Sequence, residues 1–185
     1  MSHVYVTSDW HLGHTGVSDK FRKQFFSDRE HDEYIVANAQ STVTKRDVLY
    51  ILGDVAFNKG KLDMLHEIKC RKILVRGNHD TLPISDYLEV FDEVYGAYKY
   101  KSYWLTHIPI HPMELYRGVN IHGHCHRGGP FEVHGDPYYY NAILEYNNYM
   151  PVNMQVVGSL IQDRIRLQER VRSANEGKAG NSECN

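Results

Sequence analysis

The chain has 185 residues, 42% hydrophobic and 24% charged, with a formal net charge of -2. This length suits one domain that buries roughly 70% of its extended surface. The charge balance excludes bulk attraction to nucleic acid or acidic membranes and leaves room only for a local basic patch. The near absence of long apolar runs excludes a helix of the roughly 20 residues that crosses a bilayer, and Met1-Ser2-His3-Val4-Tyr5 has no secretory h-region. Three cysteines, Cys70, Cys125 and Cys184, are too few for a disulfide framework and point to a reducing, cytoplasmic setting. Twelve histidines exceed ordinary usage, so their positions matter.

Val4 to Thr7 reads as a short buried strand. Ser27-Asp28-Arg29-Glu30 has capping-box spacing and opens a helix to about Thr42, with Tyr34, Ile35 and Ala39 on one face. Val48 to Leu52 is apolar throughout, as in a strand covered on both sides. Leu62, Leu65, His66 and Ile68 mark a helix, and Ile73 to Val75 a third strand. Strand, helix, strand, helix, strand predicts an α/β arrangement with a parallel sheet. Val94 to Tyr100 and Tyr103 to Thr106 then predict an antiparallel hairpin around Lys101-Ser102. Val119 to His122 and Tyr138 to Leu144 are two more strands. From Asn153 to Leu167 the apolar residues follow a helical stripe, although Val152 to Val157 also fits an edge strand. The expected organisation is a single domain over 1–172 and a disordered polar tail over 173–185.

Polar residues of metal-ligand type stand at the end of nearly every expected strand: Asp9 and His11, Gly53-Asp54, Gly77-Asn78-His79-Asp80, His107, and Gly123-His124-Cys125-His126. In open α/β sheets, ligands bind beyond the carboxyl ends of the strands. Carboxylate, amide and imidazole donors together suit borderline or hard divalent cations better than a thiolate-rich zinc site. In Asp9-Trp10-His11 and His124-Cys125-His126, alternation along extended backbone would aim two side chains into one pocket and turn Cys125 away. Gly53, Gly77 and Gly123 stand where the backbone must turn without a Cβ.

The ordered set Asp-x-His, Gly-Asp, Gly-Asn-His-Asp, a lone His and Gly-His-x-His is similar to the signature of calcineurin-like metallophosphoesterases. The likeness spans residues 4–126. Thr7 to His14, Leu52 to Phe57 and Phe91 to Val94 resemble the compact phosphoesterases of bacteria and phages. The resemblance implies a β-sandwich of mixed sheets flanked by helices. It implies one divalent metal on Asp9, His11 and His126, a second on Asn78, His107 and His124, and Asp54 bridging both. Mn²⁺ is the first expectation, with Fe²⁺, Zn²⁺ or Ni²⁺ as alternatives. A hydroxide shared by the cations would attack phosphorus while His79 assists the leaving oxygen, oriented by Asp80 or Asp9. Asn78 and Arg127 would meet the substrate.

Departures from relatives narrow the substrate. Gly53-Asp54 continues as Val55-Ala56-Phe57-Asn58, without the arginine-bearing run of protein phosphatases. Only about sixty residues follow the last motif, too few for the capping domain of repair nucleases, so long duplex DNA is not expected. A small phosphodiester, nucleotide-like, is the first expectation. A nucleotide phosphomonoesterase or a non-catalytic scaffold of the same fold are the alternatives. Several residues keep two readings. Tyr138-Tyr139-Tyr140, Tyr146 and Tyr149 either stack a base or pack an edge strand. Lys20, Arg22 and Lys23 form either a basic lid or a solvated loop. His14 either supports Asp9 or packs locally, the role of His122 is open, and His3, His31 and His66 read as surface or helix-face residues.

Overall fold

A computed structural model describes residues 1–116, 118–126 and 136–180, with backbone alone over 176–180. β1 (Val4–Thr7) leads through a short helix α1 (Val17–Lys20) to α2 (Asp28–Thr42) and β2 (Val48–Ile51). α3 (Lys59–Leu62) and a 3-10 turn precede β3 (Arg71–Val75), followed by α4 (Ile84–Val90) and β4 (Glu93–Tyr95). The remaining elements are β5 (Ala97–Tyr100), β6 (Tyr103–Thr106), β7 (Val119–His122), β8 (Tyr139–Asn141), β9 (Val152–Asn153) and α5 (Met154–Gly180).

Two mixed sheets face each other. The first has the order β4-β3-β2-β1-β9 and the second β5-β6-β7-β8. β1 to β4 run parallel, with β9 antiparallel at the edge. In the second sheet β6, β7 and β8 run parallel and only β5 is reversed. Residues of β2 and β3 alternate between two cores, which is why β2 is apolar throughout and β3 from Ile73 to Val75. Leu49, Ile51 and Leu74 pack with Ile35, Val36, Leu65 and Tyr87 from the helical layer. Tyr50, Leu52, Ile73 and Val75 face Leu105, Val119 and Ile121 of the second sheet, closed at the side by Met154, Val157 and Ile161 of α5. This is the α/β sandwich of mixed sheets flanked by helices that the motifs imply.

Local chemistry explains the boundaries. Ser27 Oγ accepts from Glu30 N at 3.1 Å, and Glu30 returns its carboxylate to Phe26 N, one residue before the cap. Thus the capping-box reading of α2 holds with a shifted return bond. The run Val94 to Tyr100 is not one hairpin arm. It divides at Gly96: β4 joins β3 in the first sheet, whereas β5 pairs with β6 in the second. Strand propensity persists across the break, and only tertiary pairing shows that the strand changes sheet. α4 carries no stripe long enough to read from sequence, although Tyr87 and Val90, three apart, are its buried residues. Val152-Asn153 is an edge strand and the helix starts immediately after it, so both readings of that region are partly realised. Residues 173–180, read as tail from their small polar composition, continue α5 to Gly180. Ala174, Glu176, Lys178 and Ala179 are good helix formers once a helix is already nucleated. Residues 181–185 lie outside the described residues.

At the end of the first sheet away from the ligand-type residues, Asp47 closes the turn before β2. Its carboxylate accepts from His3 N at 2.7 Å, and from Thr44 N and Thr44 Oγ1, each at 2.8 Å. Asp47→Ala strands these donors and is expected to cost about 1–3 kcal/mol of unfolding free energy in urea titrations. Metal content per folded molecule should stay at the wild-type value. A stability change within about 0.5 kcal/mol, the range of indifferent surface substitutions, would refute this role.

Candidate metal centre

The carboxyl ends of β1, β2, β3, β6 and β7 all point to one end of the sandwich, and their following loops bring the ligand-type residues together. Asp9, His11 and His126 form one cluster and Asp54, His107 and His124 another, with potential ligand atoms in each within 4.8 Å of one another. In the first, Nε2 of His11 and Nε2 of His126 stand 3.2 Å apart. Asp9 Oδ1 lies 3.6 Å from the former and 3.2 Å from the latter. In the second, His107 Nε2 is 3.2 Å from His124 Nδ1 and 3.0 Å from Asn78 Oδ1. Asp54 Oδ2 reaches both groups, 3.9 Å from His11 Nε2 and 3.4 Å from His107 Nε2.

Whether these residues fit divalent cations is answered by their donors. Asp9 Oδ1 is buried and accepts no hydrogen bond of good geometry, despite two imidazoles within ion-pair distance. A buried carboxylate oxygen left without a donor among closely gathered ring nitrogens is what a cation would satisfy. Oxygen and imidazole donors suit Mn²⁺, Fe²⁺ or Zn²⁺. His107 Nδ1 donates to Leu52 O at 2.7 Å, which leaves Nε2 as the lone-pair donor. His126 Nδ1 similarly faces Glu145 Oε1 at 3.1 Å.

The backbone is bent to make this possible. Asp9, His11, Asp54 and His124 all adopt positive φ, between 52° and 64°. Asp9-Trp10-His11 is therefore not extended, and left-handed turns, not strand alternation, aim its two polar side chains. Such residues cost on the order of 1–3 kcal/mol each and persist only where surroundings over-determine them. Asp80 supplies part of that constraint. Its carboxylate accepts from Asp54 N and Val55 N, each at 2.9 Å, and from Gly77 N at 2.7 Å. Burial raises its pKa, against the pull of those N–H groups. At Gly123 a Cβ would collide with Ser8 Oγ and Asp9 Oδ2, so close approach, not a turn, requires glycine there.

Arg22 was legible in sequence only as part of a lid or a solvated loop, and it is neither. It is 2% exposed and donates to Asp9 O at 2.6 Å, Trp10 O at 2.9 Å and Glu145 Oε1 at 3.1 Å. It also donates to His31 Nε2 at 2.7 Å, while His31 Nδ1 meets Asp32 Oδ1. His31 is thus a buried link on the inner face of α2, not a surface residue, and it supplies the guanidinium's acceptor on that side. Glu145 was missed. Its one signal was a carboxylate directly after the apolar run Ala142-Ile143-Leu144, at a strand end like the other motifs.

Elsewhere the tyrosine cluster divides: Tyr138 and Tyr146 are exposed, and Tyr149 stands against Phe25 and Arg22. Tyr139 and Tyr140 are buried, with their hydroxyls donating to Ile110 O and Asn147 Oδ1. His122 is buried against Tyr139, outside both ligand clusters, and Cys125 is buried between its neighbours. His14 stands edge-on to His11 with a buried, unpartnered Nδ1. Asn78 and His79 are exposed at the mouth. His79 N donates to Asp54 Oδ1 at 2.8 Å, and its ring lies 5.7 Å from that of His11. Arg127, expected to meet the substrate, lies outside the described residues, as does His134.

Electrostatics match the geometry. Burial would raise the Asp9 pKa, but the facing imidazoles of His11 and His126 hold it well below the ordinary value. Burial would lower the His126 pKa, but Asp9 and Glu145 lift it to about 10. Because this value lies above the ordinary 6.5, metal-free His126 keeps its proton at pH 7–8, and a cation must displace it. Metal binding should therefore release about one proton per chain near pH 8, and affinity should rise with pH up to about 10. Calorimetry in buffers of different ionisation enthalpy reads this directly. Glu145→Gln should lower affinity about 10–100-fold where the imidazole is already neutral. Metal binding without proton uptake by buffer would contradict the assignment of His126.

Known proteins resemble this chain in sequence and fold. An uncharacterized protein of Methanocaldococcus jannaschii is 27% identical over 177 residues, covering 88% of this chain and 93% of the archaeal protein. The gene 66 protein of Mycobacterium phage D29 is 35% identical over 85 residues, but these are 43% of this chain and 41% of the phage protein. The crystal structure of a protein of unknown function from Aquifex aeolicus superposes with a TM-score of 0.72 at 26% identity, over 86% of this chain and 100% of that one. The pattern of the calcineurin-like phosphoesterases matches residues 2–170. With that match over nearly the whole chain and paired Asp/His clusters at its strand ends, the protein belongs to the calcineurin-like phosphoesterases, a family of metal-dependent enzymes.

Proposed function

We propose that this chain hydrolyses a small phosphate ester with two divalent cations, and that diesters are preferred over monoesters. The observation that carries the two-cation reading is Asp54, whose Oδ2 stands within 4 Å of an imidazole of each cluster. One carboxylate there can serve two cations. Asp9, His11 and His126 would hold the first, and Asn78, His107 and His124 the second. Bound there, the cations would supply Lewis acidity and offset charge on the phosphoryl oxygens.

The chain's own groups supply the rest. His79 is exposed at the mouth, its ring beside His11 and Phe57, where it can give a proton to the departing oxygen as the P–O bond breaks. Its backbone is anchored on Asp54, so carboxylate and imidazole keep a fixed relation. Asp80 spends both oxygens on backbone N–H groups, and Asp9 is directed at His11, His126 and His124. Both carboxylates are committed elsewhere, and orientation of His79 falls to its anchored backbone and ring contacts. The diester preference rests on charge. Arg22, the cation among the described residues lining the cleft, is consumed by internal bonds, leaving little to offset a second negative charge. Manganese is the first metal to test, and a nucleotide-like ester the first substrate class.

Three substitutions test this. Asp54→Asn should abolish hydrolysis and lower metal content at both positions, seen by elemental analysis with anomalous scattering. Two metals at wild-type turnover in that variant would disprove the bridge. His79→Asn should retain both metals yet slow hydrolysis by roughly 10²–10⁴-fold, most for alkoxide leaving groups and least for nitrophenolate. Equal losses across leaving groups would instead make His79 an orienting group. Arg22→Lys should leave the diester-to-monoester ratio unchanged on a nitrophenyl panel, since the cation does not face the substrate. A ratio shifted tenfold or so, about 1.4 kcal/mol of differential binding, would place it there.

A further inference from the structure

The organic part of the substrate also has a place in the molecule. A cleft of about 670 Å³ opens directly on His11, His79 and His126, within the size range of sites for small organic ligands. Its wall beside the imidazoles is a row of rings. Phe21 meets His14 at 5.6 Å between centroids, His14 meets Phe57 at 4.9 Å, and Phe57 meets His79 at 5.4 Å. Both phenyl rings of the row lie open to solvent, as does His79: Phe21 is 70% exposed and Phe57 38%. Single exposed apolar side chains are ordinary, but contiguous ones at the edge of a reactive centre mark a binding surface. Val17 and Tyr149 extend the apolar lining, and Gln24 adds an amide. The cation of the lining, Arg22, is buried and bonded to Asp9 O, Trp10 O and Glu145. A second anionic group in this cleft would therefore meet the Glu145 carboxylate, while the guanidinium among the described lining residues is already engaged.

We infer that the cleft receives a flat, uncharged ring carried by the phosphoester, stacked on the wall of Phe21, His14 and Phe57 while the phosphate lies at the imidazole clusters. This rests on the phosphoesterase reading given above and adds the part of the substrate that the metal centre does not read. The expected occupant is an aromatic ring because an aliphatic chain gains area alone, whereas a π-face adds stacking on the phenyl and imidazole rings. Its place follows from continuity: the ring wall ends on His79, the residue assigned to the leaving oxygen. Of the tyrosine run 138–140, which had the composition for stacking, Tyr139 and Tyr140 are spent in the core and Tyr138 does not line this cleft, and the exposed phenylalanines take that role.

Calorimetric titration of the manganese-loaded full chain with phenylphosphonate and with methylphosphonate separates ring from phosphate. Phenylphosphonate should bind about tenfold or more tightly, the scale of one stacked ring. Phe21→Ala, which alters an exposed side chain, should cut that ratio severalfold, and Phe57→Leu should do the same. Equal affinity for the two phosphonates, or a ratio unchanged in both variants, overturns the inference. If methylphosphonate still binds in a manganese-dependent way that Asp54→Asn removes, the centre stands and the ring wall alone has failed. If neither phosphonate shows manganese-dependent binding, the phosphoesterase reading has failed and the ring wall with it. Uridine 5′-phosphate against ribose 5-phosphate then identifies the ring. Tighter nucleotide binding assigns a base, and equal binding with the phenyl preference retained assigns a simple aryl group.

Discussion

Two carboxylates buried side by side at one end of the sandwich are the constraint on which the rest of this structure depends. Asp9 and Asp54 are almost wholly removed from water, and a buried charge is tolerated only when other charges or hydrogen-bond donors answer it. The answers come from imidazoles on three different segments, His11, His107 and His126, from the Ser8 hydroxyl, and from two backbone N–H groups, His79 N to Asp54 and His124 N to Asp9. No local piece of chain could satisfy them. The carboxylates therefore hold the loops after β1, β2, β3 and β7 to one another, and the site exists only when both sheets are in register.

Holding them there requires a frame that is itself charged. Arg22 ties the carbonyls of Asp9 and Trp10 to Glu145, and Glu145 in turn faces His126. On the other side Asp80 gathers three N–H groups from the loops that carry Asp54 and Asn78. These bonds offset the left-handed backbone at Asp9, His11, Asp54 and His124. Strain of that kind survives because the sandwich on either side of β1 and β2 is closely packed and cannot relax around it. A partly satisfied network of this sort would be worse than an apolar core, which explains why so many of its members are held by two or more partners.

Burial also divides the labour. Groups that would gather cations are inside or at the edge of the cluster, where low dielectric strengthens their mutual attraction. His79, Phe21 and Phe57 stand outside it, open to a molecule arriving from solvent. The same ring, Phe57, touches both zones, packing on His11 and His79 while remaining partly open. On the proposed reading, recognising the organic group and handling the phosphate would thus be adjacent yet chemically separate tasks.

Much of this was legible before any coordinates. The sequence by itself determined the class of fold, because strands apolar on both faces must be covered twice, as β2 and β3 are by the helical layer and the second sheet. It also determined which residue types gather, since carboxylates, imidazoles and glycines recur at strand ends. What it did not determine was anything set by contact across the chain. Val94 to Tyr100 divides between sheets because each half finds a different partner strand. Arg22 is buried because Glu145, more than a hundred residues away in sequence, completes its bonding, and His31 is buried beside it as a further partner of the guanidinium. Periodicity and propensity report how a segment meets an average environment of water on one side and core on the other. They cannot report which distant group neutralises a charge, and that choice, made only when the loops converge, distinguishes a buried arginine from a solvated one.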